Sequence, residues 1–235
     1  MLLCPSMMCA DFDRLGDEVD ELCAAGADIL HLDVMDGHFV PNFGLGLGDA
    51  VAICKRSTLP CDAHLMTERP DEVAELFIAA GVSIVYVHPE VASAVNSTLQ
   101  RIERLGARPG IAVDPGVSFS TVEPMLSVVD YVLVMTVNPG CAGQRYLDYV
   151  TPKLFQFVEA KDKYGYKVVI DGACSPDVVV RAARLGVDGA VLGTSSLFGR
   201  SEPYATIIKS LHASCVDGTP DTSVARTSRD SLLNM

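Results

Sequence analysis

The sequence has no tryptophan and few aromatic residues of any kind, and its 18 lysines and arginines are outnumbered by 30 aspartates and glutamates. The net charge of −12 is spread along the chain without a basic run, which argues against a nucleic-acid backbone or an anionic membrane surface as a partner. No stretch approaches the roughly eighteen apolar residues of a membrane span. Met1-Leu2-Leu3 has no basic segment leading into a long apolar run, so a cytoplasmic protein is expected. The eight cysteines include no CxxC pair and no paired spacing, so neither a disulfide framework nor a cysteine-based zinc site is expected. What is present is 235 residues that are 49% apolar, enough for one large core.

One phrase recurs along the chain: a helical stretch, a glycine, one to three residues, then a short apolar run that ends on a polar residue. It is found at 24–33, 79–88, 104–114, 163–171 and 184–194. Gly26, Gly81, Gly106, Gly165 and Gly186 fall where a helix ends in a left-handed residue, a conformation that suits a residue without Cβ. The runs that follow are continuous in Val, Ile and Leu, as expected of parallel strands covered on both faces. Further strands are expected at 2–5, 61–65 and 131–135, which brings the count to eight. Phe12, Leu15, Val19, Leu22 and Cys23 are spaced to share one helical face. Eight strands alternating with helices in this length favour a closed (β/α)₈ TIM barrel over residues 1–216, with the polar stretch 217–235 as a loosely attached tail.

In such a barrel the chemistry sits at the C-terminal ends of the strands. The polar residues there are Ser6, His31, Asp33, His64, His88, Asp114, Thr136, Asn138, Asp171, Gly193 and Thr194, a rim that gathers three of only five histidines. His31 and Asp33 are two apart, so their side chains share a strand face. With His64 and Asp171 they provide two imidazoles and two carboxylates for one divalent metal. Zinc is the first expectation, with Mn, Fe, Co or Mg as alternatives. A second group lies in NPGCAGQ (138–144), DGA (171–173) and GTSS (193–196). Gly140, Gly143, Gly172 and Gly193 would let backbone N–H groups approach an anion, with Thr194 and Ser195 as further donors, and a short helix N-terminus is expected to complete a phosphate site. Met35, Met66 and Met135 fall at strand ends and read as an apolar cap that keeps water from a reactive intermediate. Asp36 with Gly37 reads as a turn, and His38, His88 and Asp114 as loop or supporting residues.

The segments PSMMCADF, HLDVMDGHFVPN, DAHLM, VMTVNPGCAGQ, IDGA and LGTSSLF resemble, in order and position, the motifs of the ribulose-phosphate 3-epimerase family, over residues 2 to about 210. The resemblance implies a metal held by His31, Asp33, His64 and Asp171, with Asp33 and Asp171 doubling as the proton-transfer pair. It also implies substrate contacts from Ser6, His64 and the three methionines, and phosphate contacts from Gly140, Cys141, Ala142, Gly143, Gly172, Ala173, Gly193, Thr194 and Ser195. Ala142 and Ala173 stand where that family's usual pattern has glycine. The variants GCAGQ, DGAC and GTSSLF look more like its D-allulose-6-phosphate 3-epimerase branch, so conversion of D-allulose 6-phosphate to D-fructose 6-phosphate is the first expectation. Interconversion of D-ribulose 5-phosphate and D-xylulose 5-phosphate is the alternative. Inverting a carbon next to a carbonyl takes a proton off one face and returns one to the other, which asks for two acid/base groups.

Two readings of other kinds compete. An aldolase or decarboxylase working through a Schiff base needs a strand-end lysine, and the only strand-adjacent one, Lys167, is at the wrong end. A non-catalytic phosphosugar-binding barrel would leave the paired aspartates without a purpose. The partner is in each case a small phosphorylated ketose, and whether the chain forms a homo-oligomer is left open by the sequence.

Overall fold

A computed structural model describes residues 1–92 and 94–216; the tail expected at 217–235 lies outside the described residues. Eight strands form one parallel sheet: β1 (Leu2–Pro5), β2 (Leu30–Met35), β3 (Cys61–Met66), β4 (Ile84–Val87), β5 (Arg108–Val113), β6 (Tyr131–Met135), β7 (Lys167–Asp171) and β8 (Gly189–Leu192). From β2 to β8 each strand hydrogen-bonds to the next, and β8 pairs with β1. The seam between β1 and β2 is closed by a single parallel bridge, Ser6 to His31. The helices are α1 (Leu15–Ala24), α2 (Leu47–Arg56), α3 (Pro70–Ala79), α4 (Val95–Arg104), α5 (Phe119–Val122), α6 (Thr151–Tyr164), α7 (Pro176–Leu185) and α8 (Tyr204–Val216). The expected TIM barrel is thus the observed one.

The five glycines of the repeated phrase all have positive φ, between 84° and 111°. Each stops a helix so that the chain can turn back into the sheet. The helical face read from residue 12 onward needs one correction. Phe12 lies in a 3₁₀ turn before α1 and is 50% exposed, while Val19 and Leu22 are buried as expected. Asp11 caps that turn by accepting the N–H of Asp13, so the chain enters α1 only at Leu15.

Strand alternation sorts the side chains into two cores. Leu30, Leu32 and Val34 of β2, Ala63 and Leu65 of β3, and Val168 and Ile170 of β7 face outward onto the helices. The complementary set, with Tyr86, Tyr131, Leu133 and Val169, fills the barrel interior. Gly110 on β5 makes room there, since a Cβ on it would stand 2.6 Å from the Tyr86 ring. β2 and β3 pair without offset, setting His31 beside Asp62, Asp33 beside His64 and Met35 beside Met66. That register layers the polar residues upward toward the C-terminal mouth.

Candidate active site

The four expected metal ligands converge. His31 Nε2 lies 3.4 Å from Asp33 Oδ1 and 3.9 Å from Asp171 Oδ2. His64 Nδ1 lies 3.6 Å from Asp33 Oδ1 and 3.4 Å from Asp171 Oδ2. Donors on a tetrahedron with bonds of about 2.1 Å would be roughly 3.4 Å apart, so the spacing suits one divalent ion. The two imidazole nitrogens that face this centre are buried without a hydrogen-bond partner, as lone pairs reserved for a metal would be. The donor set of two imidazoles and two carboxylates matches the chemistry of such an ion, and the residues therefore fit the group.

The electrostatics point the same way. Burial works to neutralise His31, yet Asp62 and Asp33 outweigh it and hold its pKa well above the ordinary histidine value. Burial also opposes charge on His64, and Asp171 and Asp33 raise it nevertheless. For Asp33 burial is overcome by His31 and His64, which keep its carboxyl far below the usual carboxylate range. The carboxylates thus draw positive charge into a dry centre.

Asp33 Oδ2 accepts a 2.5 Å hydrogen bond from Ser6 Oγ at the end of β1. A hydrogen bond to a charged group contributes about 1.5–3 kcal/mol. Ser6→Ala is therefore expected to lower the melting temperature by about 3–12 °C and, by leaving Asp33 without its orienting partner, to lower turnover as well; a thermal melt beside steady-state kinetics checks this.

A single cavity is lined by Ser6, Asp33, Asp171, the three methionines and every residue of the expected phosphate group, from Gly140 to Ser195. His31 and His64 are wholly buried beneath it. One detail adds to the expectation and one differs from it. Met35 and Met66 form a rim cluster with Val40, Met8 and Phe39, whereas Met135 packs into the barrel interior. Met135 lines the same cavity from the interior side, and Met8, a residue with no periodic signal to mark it, joins the rim cluster. The segment after β8 is a turn and not a helix: the N–H groups of Ser196, Leu197 and Phe198 all bond to the carbonyl of Gly193, leaving those of Thr194 and Ser195 outside the backbone network.

Gly172 has φ +111° and packs against Val137 so closely that a Cβ would collide with its side chain. Ala173, next to it, is the one non-glycine residue with positive φ among the described residues, at 49°. A left-handed residue with a Cβ costs about 1–2 kcal/mol, part of which glycine returns through its freer unfolded chain. Ala173→Gly is expected to stabilise the fold by about 0.5–1 kcal/mol, seen as a melting temperature higher by about 1–4 °C.

Asp36 accepts the N–H groups of His38, Phe39 and Glu68 at 2.8, 3.0 and 2.7 Å, so it is the turn residue expected and it ties the loop after β2 to the loop after β3. Asn42, in the same loop, donates to the carbonyl of Gly140 at 2.8 Å and so joins the metal side of the mouth to the glycine-rich side. Sequence reasoning missed Asn42, since nothing local marks a contact across 98 residues. It also missed Asp62, whose carboxylate stands 2.6 Å from His31 Nδ1 on the side away from the metal centre. That one was legible: Asp62 is two residues before His64 and alternation puts both inside.

Residues 2–198 match the family described as the ribulose-phosphate 3 epimerase family. The chain belongs to that family. By this membership it is an isomerase. The ribulose-phosphate 3-epimerase of Aquifex aeolicus is 40% identical over 92% of this chain and 98% of its own length. That of Bacillus subtilis is 36% identical over 84% and 92%, and that of Escherichia coli K12 is 35% identical over 90% and 95%. The barrel of 3-hexulose-6-phosphate synthase from Salmonella typhimurium superposes with a TM-score of 0.68 at 15% identity, covering 93% of this chain and all of that one, which speaks to fold alone. These relatives favour the pentulose alternative over the D-allulose 6-phosphate reading. The variants behind that reading lie in glycine-rich loops that line the cavity, where backbone N–H groups are the expected anion donors and side-chain changes say little about sugar length.

Proposed function

We propose that this protein interconverts D-ribulose 5-phosphate and D-xylulose 5-phosphate by inverting C3. The observation that carries the proposal is one cavity holding two carboxylates from β2 and β7 and a glycine-rich cradle. Asp33 and Asp171 stand three strands apart around the ring, on either side of the β1–β8 pair. A sugar phosphate anchored at 140–143, 172–173 and 193–195 would lie between them. One aspartate then removes the C3 proton and the other delivers a proton to the opposite face of the ene-diolate. His31, Asp33, His64 and Asp171 would hold a divalent cation, zinc first, which when bound would supply electrophilic stabilisation for charge developing on the sugar oxygens. Ser6 keeps Asp33 oriented, and Met8, Met35 and Met66 exclude water from the carbanionic carbon.

Incubating purified protein with each ketose 5-phosphate in D₂O tests the reading. Deuterium should enter C3 as the two epimers equilibrate, and kcat/KM should exceed that on D-allulose 6-phosphate. A higher value on the hexulose would restore the branch reading, and no exchange on either sugar would remove the epimerase.

A further inference from the structure

Behind His64, away from the cavity, a second line of buried polar groups has no part in the proposed chemistry. His64 Nε2 stands 2.8 Å from Nε2 of His88, the residue after β4, with the two rings stacked at 5.0 Å between centroids. The other His88 nitrogen, Nδ1, is 3.1 Å from Asp114 Oδ1, just after β5. Both of these atoms are buried, face each other at that distance and have no other hydrogen-bond partner, and neither meets hydrogen-bond geometry in the contact itself. Phe39 closes the other side of His88, its ring 4.6 Å away.

Two ring nitrogens at 2.8 Å must share one proton, and the metal centre decides whose it is. His64 turns Nδ1 toward Asp33 and Asp171, so ligation leaves Nδ1 bare and puts its proton on Nε2. His88 must then accept at Nε2 and carry its own proton on Nδ1, facing the Asp114 carboxylate. The loop that presents Asp114 is itself fastened, because Lys153 Nζ donates to the carbonyls of Asp114, Pro115 and Val117.

We propose that Asp114, acting through His88, is a positioning residue that fixes the tautomer of His64 and strengthens it as a metal ligand. This rests on the metal site of the proposed function. His31 obtains the same service directly from Asp62, whereas His64 obtains it across an intervening imidazole. The arrangement also decides a competing possibility. His88, Glu90 and Asp114 lie close enough together to suggest a second metal site. With His88 Nδ1 protonated, that cluster has no imidazole lone pair to offer while the first site is filled.

The test strips the full-length protein with a chelator and measures Zn²⁺ binding by competition with a chromophoric chelator of known affinity. Asp114→Asn keeps the shape and removes the charge, and it should weaken Zn²⁺ binding about tenfold, the lower end of what loss of an outer partner does to a ligating histidine. The melting temperature of the stripped protein should not move, and the visible spectrum of the Co²⁺-loaded variant should shift as the His64 ligand field changes. Glu90→Gln is the matched control: it removes a carboxylate of the same cluster that has no contact with His88 Nδ1 as short as that of Asp114, and it should leave Zn²⁺ affinity within twofold of wild type. One Zn²⁺ per wild-type chain is expected. Unchanged affinity in Asp114→Asn, an equal loss in Glu90→Gln, or two Zn²⁺ per chain would each overturn the relay while leaving the epimerase reading intact. Failure of the wild-type chain to bind Zn²⁺ or Co²⁺ would overturn both.

Discussion

Asp171→Asn should lower epimerisation by about 10³-fold or more, measured with the metal at saturation. General acid–base groups contribute roughly 10²–10⁴-fold, and a reaction that needs a proton donor on each face cannot bypass the loss of one. Asparagine fills the same volume and can still meet a metal through its oxygen, but it cannot carry a proton to carbon. The side chain of Asp171 is 14% exposed and opens on the cavity, so the substitution leaves no new buried void. The two-face arrangement makes a sharper demand than loss of rate. With Asp33 intact, the variant should exchange the C3 proton of one ketose phosphate with D₂O and not that of its epimer. Asp33→Asn should reverse the preference, with a further loss because Asp33 also receives Ser6 and contacts both histidines. A rate for Asp171→Asn within tenfold of wild type would take this aspartate out of the mechanism.

The second large effect concerns the cation. Chelation should reduce turnover by more than about 10²-fold, since the remaining hydrogen-bond donors at the cavity are few and neutral. Adding back Zn²⁺ or Mn²⁺ at a hundred times its dissociation constant should stabilise the folded chain by about 2.7 kcal/mol. For a chain of this size that corresponds to a melting temperature higher by about 5–11 °C. The physical cause is the group of carboxylates around His31, Asp33 and Asp171 directly and Asp62 behind it, which a dication neutralises at short range. Full activity in protein verified to be free of metal would exclude this role, and so would a melting temperature indifferent to added Zn²⁺.

Much of this site was legible in the chain because its determinants are local. The HxD spacing puts His31 and Asp33 on one strand face whatever the fold, and the glycines that end each helix announce the alternation of helix and strand. His31, Asp33, His64 and Asp171 were found by asking which polar residue ends each apolar run, a question barrel topology makes meaningful. The residues that escaped are those whose role depends on register or on contacts across the mouth. Met8 joins the rim from the turn after β1, and Asn42 reaches a loop far along the sequence. The order of sugar preference rests on side chains of the cavity's glycine-rich loops, which carry little information on sugar length, and the relatives favour the pentulose.

The amino-acid sequence alone determined the eight strands, the helices between them and the four side chains able to hold a metal, since these follow from hydrophobic period, helix-ending glycines and residue chemistry. Only the tertiary structure decided that His64 leans on His88 and Asp114, that His31 leans on Asp62, and that Met8 completes the rim. Those pairings depend on how neighbouring strands slide past one another, and a strand's own residues do not record the register of its neighbour.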